Sequence, residues 1–376
     1  MQTAKVAIVG AGVSGLYAAY RLKQLGINDV VVFEARDRMG GRIYSVASPE
    51  AANGDNAHDR FDLGPSWYWP QYQPQLAELI QSLGLESLQQ FEKGDSVLQR
   101  SAQQQPTHAP GQNGNPISMR LVGGMAALTD ALAAQIDASQ IQMSCTVSSI
   151  RTDDEQVAIT YTDRDGLQQT MRVAHVLLAL PPRLAANAIT FDPPLPADLK
   201  SQWADTPTWM APHAKYVAIY DKPFWREQGL SGEARSACGP LVEIHDASNP
   251  TGKAALFGFV GVPADGRQQL TEAQLKTFCR EQLAALFGNE ANNPKAEWLQ
   301  DWAIEPYTAT AHDSLFSGHH AAAPPNQAAT GPWRDRITGI GSEWSVAFPG
   351  YIAGAIDAVD VGVQVVLNRQ SDHLPS

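Results

Sequence analysis

The stretch Lys5-Val-Ala-Ile-Val-Gly-Ala-Gly-Val-Ser-Gly-Leu constrains this fold more than any other part of the chain. Val6 to Val9 is a short apolar run of the kind that fills a buried parallel strand. Gly10, Gly12 and Gly15 follow as G-x-G-x-x-G. Leu16, Ala19 and Tyr20 then share one helical face, and Gly26 stops the helix. A second apolar run, Val30 to Phe33, ends on Glu34. Strand, turn, helix, second strand and acid together predict a dinucleotide site. Gly10 makes the tight turn, Gly12 lets a pyrophosphate approach the backbone, and Gly15 lets helix and strand pack closely. The pyrophosphate sits on the free N–H groups of the helix N-terminus. Glu34 lies about 20 residues past the last glycine, where a carboxylate takes the ribose hydroxyls.

The chain has 376 residues, enough for two domains and a sizeable core. Its 27 Lys and Arg against 39 Asp and Glu give a net charge of -12. That balance gives no general attraction for nucleic acid or anionic lipid. Cys145, Cys238 and Cys279 are odd in number and far apart, and no C-x-x-C occurs. Neither a disulfide framework nor a metal site is expected. With no apolar stretch long enough for a membrane anchor and no leader visible before the first strand, the expected setting is the cytoplasm.

After Glu34 the chain reads Ala35-Arg36-Asp37-Arg38-Met39-Gly40-Gly41-Arg42. Two glycines open the backbone beside the nucleotide, and Arg42 suits phosphate oxygens. Together with the fingerprint and Glu34, this G-G-R resembles the flavin-containing amine oxidase family, the monoamine and polyamine oxidases. The resemblance implies FAD, with cofactor contacts from Ala35, Arg36, Gly41 and Arg42. It also implies an α/β fold in which an FAD-binding Rossmann-like domain is joined to a mixed-sheet substrate domain.

Residues 47 to 60 read as a polar loop. Phe61-Asp62-Leu63-Gly64-Pro65-Ser66-Trp67 looks like the family's D-x-G segment followed by an aromatic. By that likeness Gly64, Pro65, Ser66 and Trp67 meet the cofactor, and Trp67 also has an ordinary reading as core. Residues 74 to 91 have helical character, and 101 to 116 read as a polar loop or lid. This region is shorter than in longer family members, which alters the expected cavity. Leu121-Val-Gly-Gly-Met125 then opens a helix to about Ala134.

Gln140 to Val147, Gln156 to Tyr161 and Gln168 to Val173 read as strands, with Asp163 to Gly166 as a hairpin turn. By resemblance, the backbone at Val147 meets the adenine. Ala174 to Pro182 is a buried strand ending at a proline pair, like the family's crossover out of the FAD domain. In Ala214-Lys215-Tyr-Val-Ala-Ile-Tyr-Asp-Lys-Pro-Phe-Trp225, alternation suggests a strand with Lys215 at its start. Taken alone, Lys215 is a solvated strand-end lysine. The resemblance implies instead that it reaches the flavin N5 through a water. Leu275 to Phe287 reads as a surface helix.

Trp302 matches an aromatic placed near the flavin ring. Members that bind FAD covalently have a cysteine where this chain has Ala311, so FAD is expected to be noncovalent. The neighbouring cage aromatic is here His312, which is either an altered cage residue or an ordinary loop histidine. His319 and His320 are expected to be loop residues, not ligands. Ile337 to Glu343 resembles a strand followed by G-x-E through Gly341 and Glu343. Gly350 and Tyr351 then open a helix whose dipole would favour an anionic reduced flavin. Tyr351 matches the second cage aromatic.

The expected FAD domain covers 1–72, 117–196 and 311–376, and the substrate domain 73–116 and 197–310. The resemblance implies oxidation of a small-molecule amine to an imine by hydride transfer to flavin N5. O2 then reoxidises the flavin and gives hydrogen peroxide. Desaturases, protoporphyrinogen oxidases and isomerases share such an FAD domain, but Lys215 and Tyr351 argue against them. A protein that binds FAD without turnover is the other alternative.

Overall fold

The structure, a computed structural model, describes residues 2–49, 59–111, 114, 116–153, 156–250, 252–315 and 322–372. Most of the expected loop at 47–60, including Asn53 to Asn56, lies outside the described residues, as do His319 and His320. The chain forms two compact units. The first comprises Met1–Arg42, Leu128–Ala211 and Glu305–Ser376, and the second Ile43–Ala127 and Pro212–Ile304.

The first unit is built on an eight-stranded sheet. Its parallel part runs Ile337–Gly339, Gln168–Leu178, Gln2–Val9, Val30–Phe33, Ile141–Gln142. The apolar run Val30–Phe33 is buried throughout, as a strand covered on both faces must be. Helix Val13–Gln24 packs against helix Ile352–Asp372. Gln168–Leu178 is one long strand where two runs were expected. Its first half pairs antiparallel with Val157–Thr162, and its second half pairs parallel with Ile337–Gly339. The expected strand 140–147 is split into Ile141–Gln142 and the start of Thr146–Thr152, with Ser144 between them at φ 55.

The second unit carries a seven-stranded sheet in the order Ala296–Asp301, Ala214–Tyr220, Ala254–Val260, Leu241–Asp246, Leu230–Ser236, Asp95–Gln99, Thr107–Pro110. Helix Glu272–Phe287 covers one face, where Leu275, Cys279, Leu283 and Phe287 join Tyr216, Ala218, Leu256 and Ile244 in one cluster. Its start is fixed by a capping box between Thr271 and Gln274. On the opposite face Val217, Ile219 and Phe257 pack with Phe61 and Leu63.

Other expectations are revised. The helix expected over 74–91 stops at Ser82, because Gly84 takes a left-handed φ of 69, and Ser87–Gln89 then pairs as a strand with Met119–Leu121. Within the expected loop at 101–116, Thr107–Pro110 pairs with Asp95–Gln99 and widens the sheet. The compact units also divide the chain differently from the expected domains. Residues 43–72 and 117–127 lie in the second unit, since Phe61 and Leu63 are part of its core. Residues 197–211 lie in the first, since Leu199 and Trp203 bury themselves in its core.

Candidate active site

The expected residues fall into two groups, one in each unit. In the first unit, Gly10 is at φ 107, and a Cβ there would lie 2.7 Å from the Ala179 carbonyl oxygen. A Cβ on Gly15 would lie 1.9 Å from the Gly10 carbonyl oxygen, so only glycine lets helix and turn meet. Gly12 differs. Its backbone is extended, and a Cβ would meet nothing nearer than the Gly40 oxygen at 3.8 Å. Gly12 thus has no steric need for glycine within the chain itself, and the uncapped helix N-terminus beside it offers N–H donors.

Glu34 is buried. One carboxylate oxygen accepts from the Ala11 N–H at 2.8 Å and the other from the Arg36 N–H at 2.9 Å. A carboxylate oxygen accepts more than one hydrogen bond, so capacity remains for ribose hydroxyls. Ala35 is half-buried between them. Arg36 donates to Thr308 at 3.0 Å and pairs with Glu305 at 3.2 Å, while its buried Nε has no partner among the described residues. An open backbone cradle, a buried carboxylate and an unused buried donor fit the diphosphate and ribose of a dinucleotide.

Arg42 was expected on phosphate oxygens. Its Nη1 and Nη2 hold the Glu343 carboxylate at 2.5 and 2.9 Å, and Nη2 also reaches Ser342 Oγ at 3.2 Å. Burial acts to lower the Arg42 pKa, but the Glu343 charge and hydrogen bonds hold it above its ordinary value. The pair ties the Gly40-Gly41 turn to Gly341-Ser342-Glu343. Gly41 lies against Gly12, since a Cβ on it would be 3.3 Å from the Gly12 Cα. Gly341 packs on the Leu180 carbonyl. Gly350, at φ 82, lets the chain pass Trp209, and Tyr351 stands half-buried with its ring 6.4 Å from that of Trp209. Val147 is buried at the start of Thr146–Thr152. His312 is exposed on a turn beside the buried Asp313.

The second unit gathers Lys215, Gly64, Pro65, Ser66, Trp67 and Trp302. Lys215 is only 3% exposed. Its Nζ donates to the Gly64 carbonyl at 3.0 Å and to Ser66 Oγ at 2.6 Å, and lies 3.9 Å from the centre of the Phe257 ring. Burial lowers its pKa to about 7, opposed by Asp62 and aided by Arg120. This is not a solvated strand-end lysine. Trp302 is buried and gives its indole N–H to the Leu63 carbonyl at 3.1 Å. Trp67 gives its own to Gln90 Oε1 at 2.8 Å, which leaves its ring against His245 and Phe257. Thus the Leu63–Trp67 segment, expected beside the cofactor, is bonded to the lysine strand of the sheet unit.

Comparison with known proteins gives the family. The model of the family described as flavin containing amine oxidoreductase matches residues 13–115 and 111–358. The chain belongs to that family. It is 25% identical over 460 residues to a probable flavin-containing monoamine oxidase A of Dictyostelium discoideum, covering 94% of this chain and 95% of that one. It is also 25% identical to a putrescine oxidase of Kocuria rosea, with 90% of each chain covered. Among solved structures, cyclohexylamine oxidase from Brevibacterium oxydans shares the fold with a TM-score of 0.79 at 22% identity, over 98% of this chain and 99% of that one. The family's cofactor is FAD, and the cradle in the first unit fits it.

Sequence reading missed Arg120, Gln90, Glu243 and His245. Arg120 is 3% exposed and donates to the carbonyls of Ala247 and Ser248 at 2.8 and 3.2 Å. Burial lowers its pKa. Glu243 and His245 sit two apart in a strand, so period-two alternation was the signal that places both on one face.

Proposed function

We propose that this protein is an FAD-dependent amine oxidase, taking an amine to its imine with O2 as final acceptor and hydrogen peroxide as product. The reading rests on family membership and on one observation above others, the buried Lys215 with a pKa near neutrality. When bound, FAD supplies the acceptor for the hydride that leaves the carbon beside nitrogen. The chain's own residues supply placement, dryness and proton handling. Near neutral pH, Lys215 exists in both protonation states, so its Nζ can hold or release a proton with Ser66 Oγ as its neighbour. Burial in aromatic surroundings, here Phe257, Phe259 and Trp67, favours a neutral and therefore reactive amine. Tyr351 and Trp302 are proposed as the aromatic faces that orient the amine and the cofactor. Glu34, Arg36 and the glycine turns are proposed to hold the dinucleotide.

FAD is proposed to be noncovalent, since Ala311 has no thiol to form a link. No helix among the described residues is long and apolar enough to cross a membrane. The cysteines Cys145, Cys238 and Cys279 are free, which supports a reducing, cytoplasmic setting. The test is an anaerobic amine screen on the purified yellow protein. Bleaching of the flavin by an amine, followed by peroxide on adding air, is expected. Acid should release intact FAD. A flavin that no amine reduces would overturn the proposed activity, and flavin that stays with the denatured chain would overturn the noncovalent assignment.

A further inference from the structure

The segment Leu63-Gly64-Pro65-Ser66-Trp67 brings two oxygens to one buried amine. Pro65 has a fixed φ and no N–H to compete, so the Gly64 carbonyl and the Ser66 hydroxyl keep a set spacing. The segment is pinned at both ends. The Leu63 N–H donates to the Tyr44 carbonyl at 2.8 Å, and the Leu63 carbonyl accepts from Trp302 at 3.1 Å. At the other end the Trp67 indole is bonded to Gln90, and Ser66 between them is buried. The two oxygens are therefore held by the segment's own bonds and not by the lysine.

Lys215 Nζ meets the Gly64 carbonyl at 3.0 Å, Ser66 Oγ at 2.6 Å and the Phe257 ring at 3.9 Å from its centre. An ammonium has three hydrogens, and each of these partners can take one. A neutral amine has two hydrogens and a lone pair that needs a donor. Neither a carbonyl oxygen nor a ring face can supply it. A hydroxyl rotates, and it can accept from the first form and donate to the second. Of the charges around the amine, Asp62 draws the proton on and Arg120 repels it. On the flanking strands Lys215 is opposite Phe259 and Gln300, which carry no charge. His245, bonded to Glu243, reaches the cluster through ring contacts with Phe257 and Trp67.

We infer that Ser66 is a positioning residue for Lys215: its hydroxyl accepts from the ammonium and donates to the free amine, so the lysine changes charge without moving. This deepens the proposed function and rests on the reading that Lys215 handles a proton in the reaction. A lysine anchored only by acceptors would leave its lone pair unbonded, or swing to find a donor, each time it gave up its proton. With the hydroxyl in place, the exchange needs only the rotation of one O–H, and Nζ stays against the Phe257 ring.

The test follows the lysine's protonation by NMR, from the pH dependence of its Cε resonance in selectively lysine-labelled holoenzyme, with Lys215→Met to assign it. Wild type should titrate at about 7. Ser66→Ala removes the partner of both forms, but the bond from the charged donor is the stronger, so the midpoint should fall by about one pH unit. Ser66→Thr keeps the hydroxyl and should restore it. The functional arm is the pH dependence of anaerobic flavin reduction by an amine. The amine's own titration is common to wild type and variants, so the limb that moves belongs to the chain. That limb should shift to lower pH by the same amount in Ser66→Ala, with FAD content retained. A merely structural serine would alter stability and leave both midpoints where they were. An unmoved resonance in Ser66→Ala, an equal shift in Ser66→Thr, or a rate profile that ignores a shifted resonance would each overturn the inference while leaving the amine oxidase reading intact. Protein that no amine reduces would overturn that reading, and the role of Ser66 with it.

Discussion

The two units share one way of holding positive charge, and the sheet unit adds a second. In the nucleotide unit Arg42 is matched by Glu343, Arg183 by Asp313 at 2.6 Å, and Arg36 by Glu305. In the sheet unit Arg267 and Arg226 are likewise paired with Asp301 and Asp246. Lys215 and Arg120 are not. Among the described residues their hydrogen bonds go to neutral oxygens of Gly64, Ser66, Ala247 and Ser248. A matched pair fixes geometry and keeps its charge over a wide pH range. Arg120 so held keeps its charge, because a guanidinium does not deprotonate, whereas the Lys215 ammonium in a dry place keeps its geometry and has its pKa lowered to about 7. The first device suits a cradle that must not change, and the second suits a group that must.

The largest effect expected from breaking this contrast is at Lys215. Lys215→Met should slow flavin reduction, reoxidation, or both, by roughly tenfold to a thousandfold, about 1.4–4 kcal/mol of barrier. The half-reactions are measured separately by stopped flow, and wild-type rates in both would remove the lysine from the site. The same variant tests the pKa. With the folded value lowered to about 7, the unfolded chain binds more protons between about 7 and the ordinary 10.5. Stability should therefore rise with pH across that window in wild type. Urea titrations should show a flatter profile for Lys215→Met.

The next prediction separates two glycines of the cradle. Gly15→Ala forces a Cβ onto the Gly10 carbonyl and should destabilise the protein by about 1–3 kcal/mol. Gly12→Ala meets no protein atom closely and should cost under about 1 kcal/mol of stability, as an N-cap change does. It should nevertheless weaken FAD binding about tenfold or more. Denaturation of the apoprotein and FAD titration check the two halves. Equal FAD affinity in Gly12→Ala would mean that the pyrophosphate lies elsewhere.

The smallest effect is confined to the sheet unit. Thr271→Ala removes the capping box of helix Glu272–Phe287 and should cost about 1 kcal/mol. FAD content should stay at the wild-type level. A loss of FAD would show that the two units are energetically coupled more tightly than their separate cores suggest.

Much of this was legible in the sequence, and unevenly. The strand Gln2–Val9, the helix Val13–Gln24 and the strand Val30–Phe33 follow from local pattern, because adjacent segments make each other's contacts there. Glu34 was legible for the same reason. The Arg42–Glu343 pair joins residues 301 apart and has no local signal. The lysine's position in the chain was legible, but its burial was not, since that depends on Gly64 and Ser66 arriving from 149 to 151 residues away. The helix expected over 74–91 failed at Gly84, where backbone conformation overrode apolar spacing. The period-two spacing of Glu243 and His245 was legible, but the rings of Phe259 and Phe257 opposite them come from another strand and were not.

The forked strand Gln168–Leu178 has a consequence for how the molecule is made. Its second half waits for Ile337–Gly339, which is synthesised about 160 residues later. The second unit is complete at Ile304, before that strand exists. As the chain emerges from the ribosome, the lysine-bearing sheet has all its strands first, and the nucleotide sheet closes last. Loading of FAD is then a late event in the life of the chain. Truncations near the C-terminus should abolish cofactor retention while leaving the lysine-bearing sheet's own strands intact.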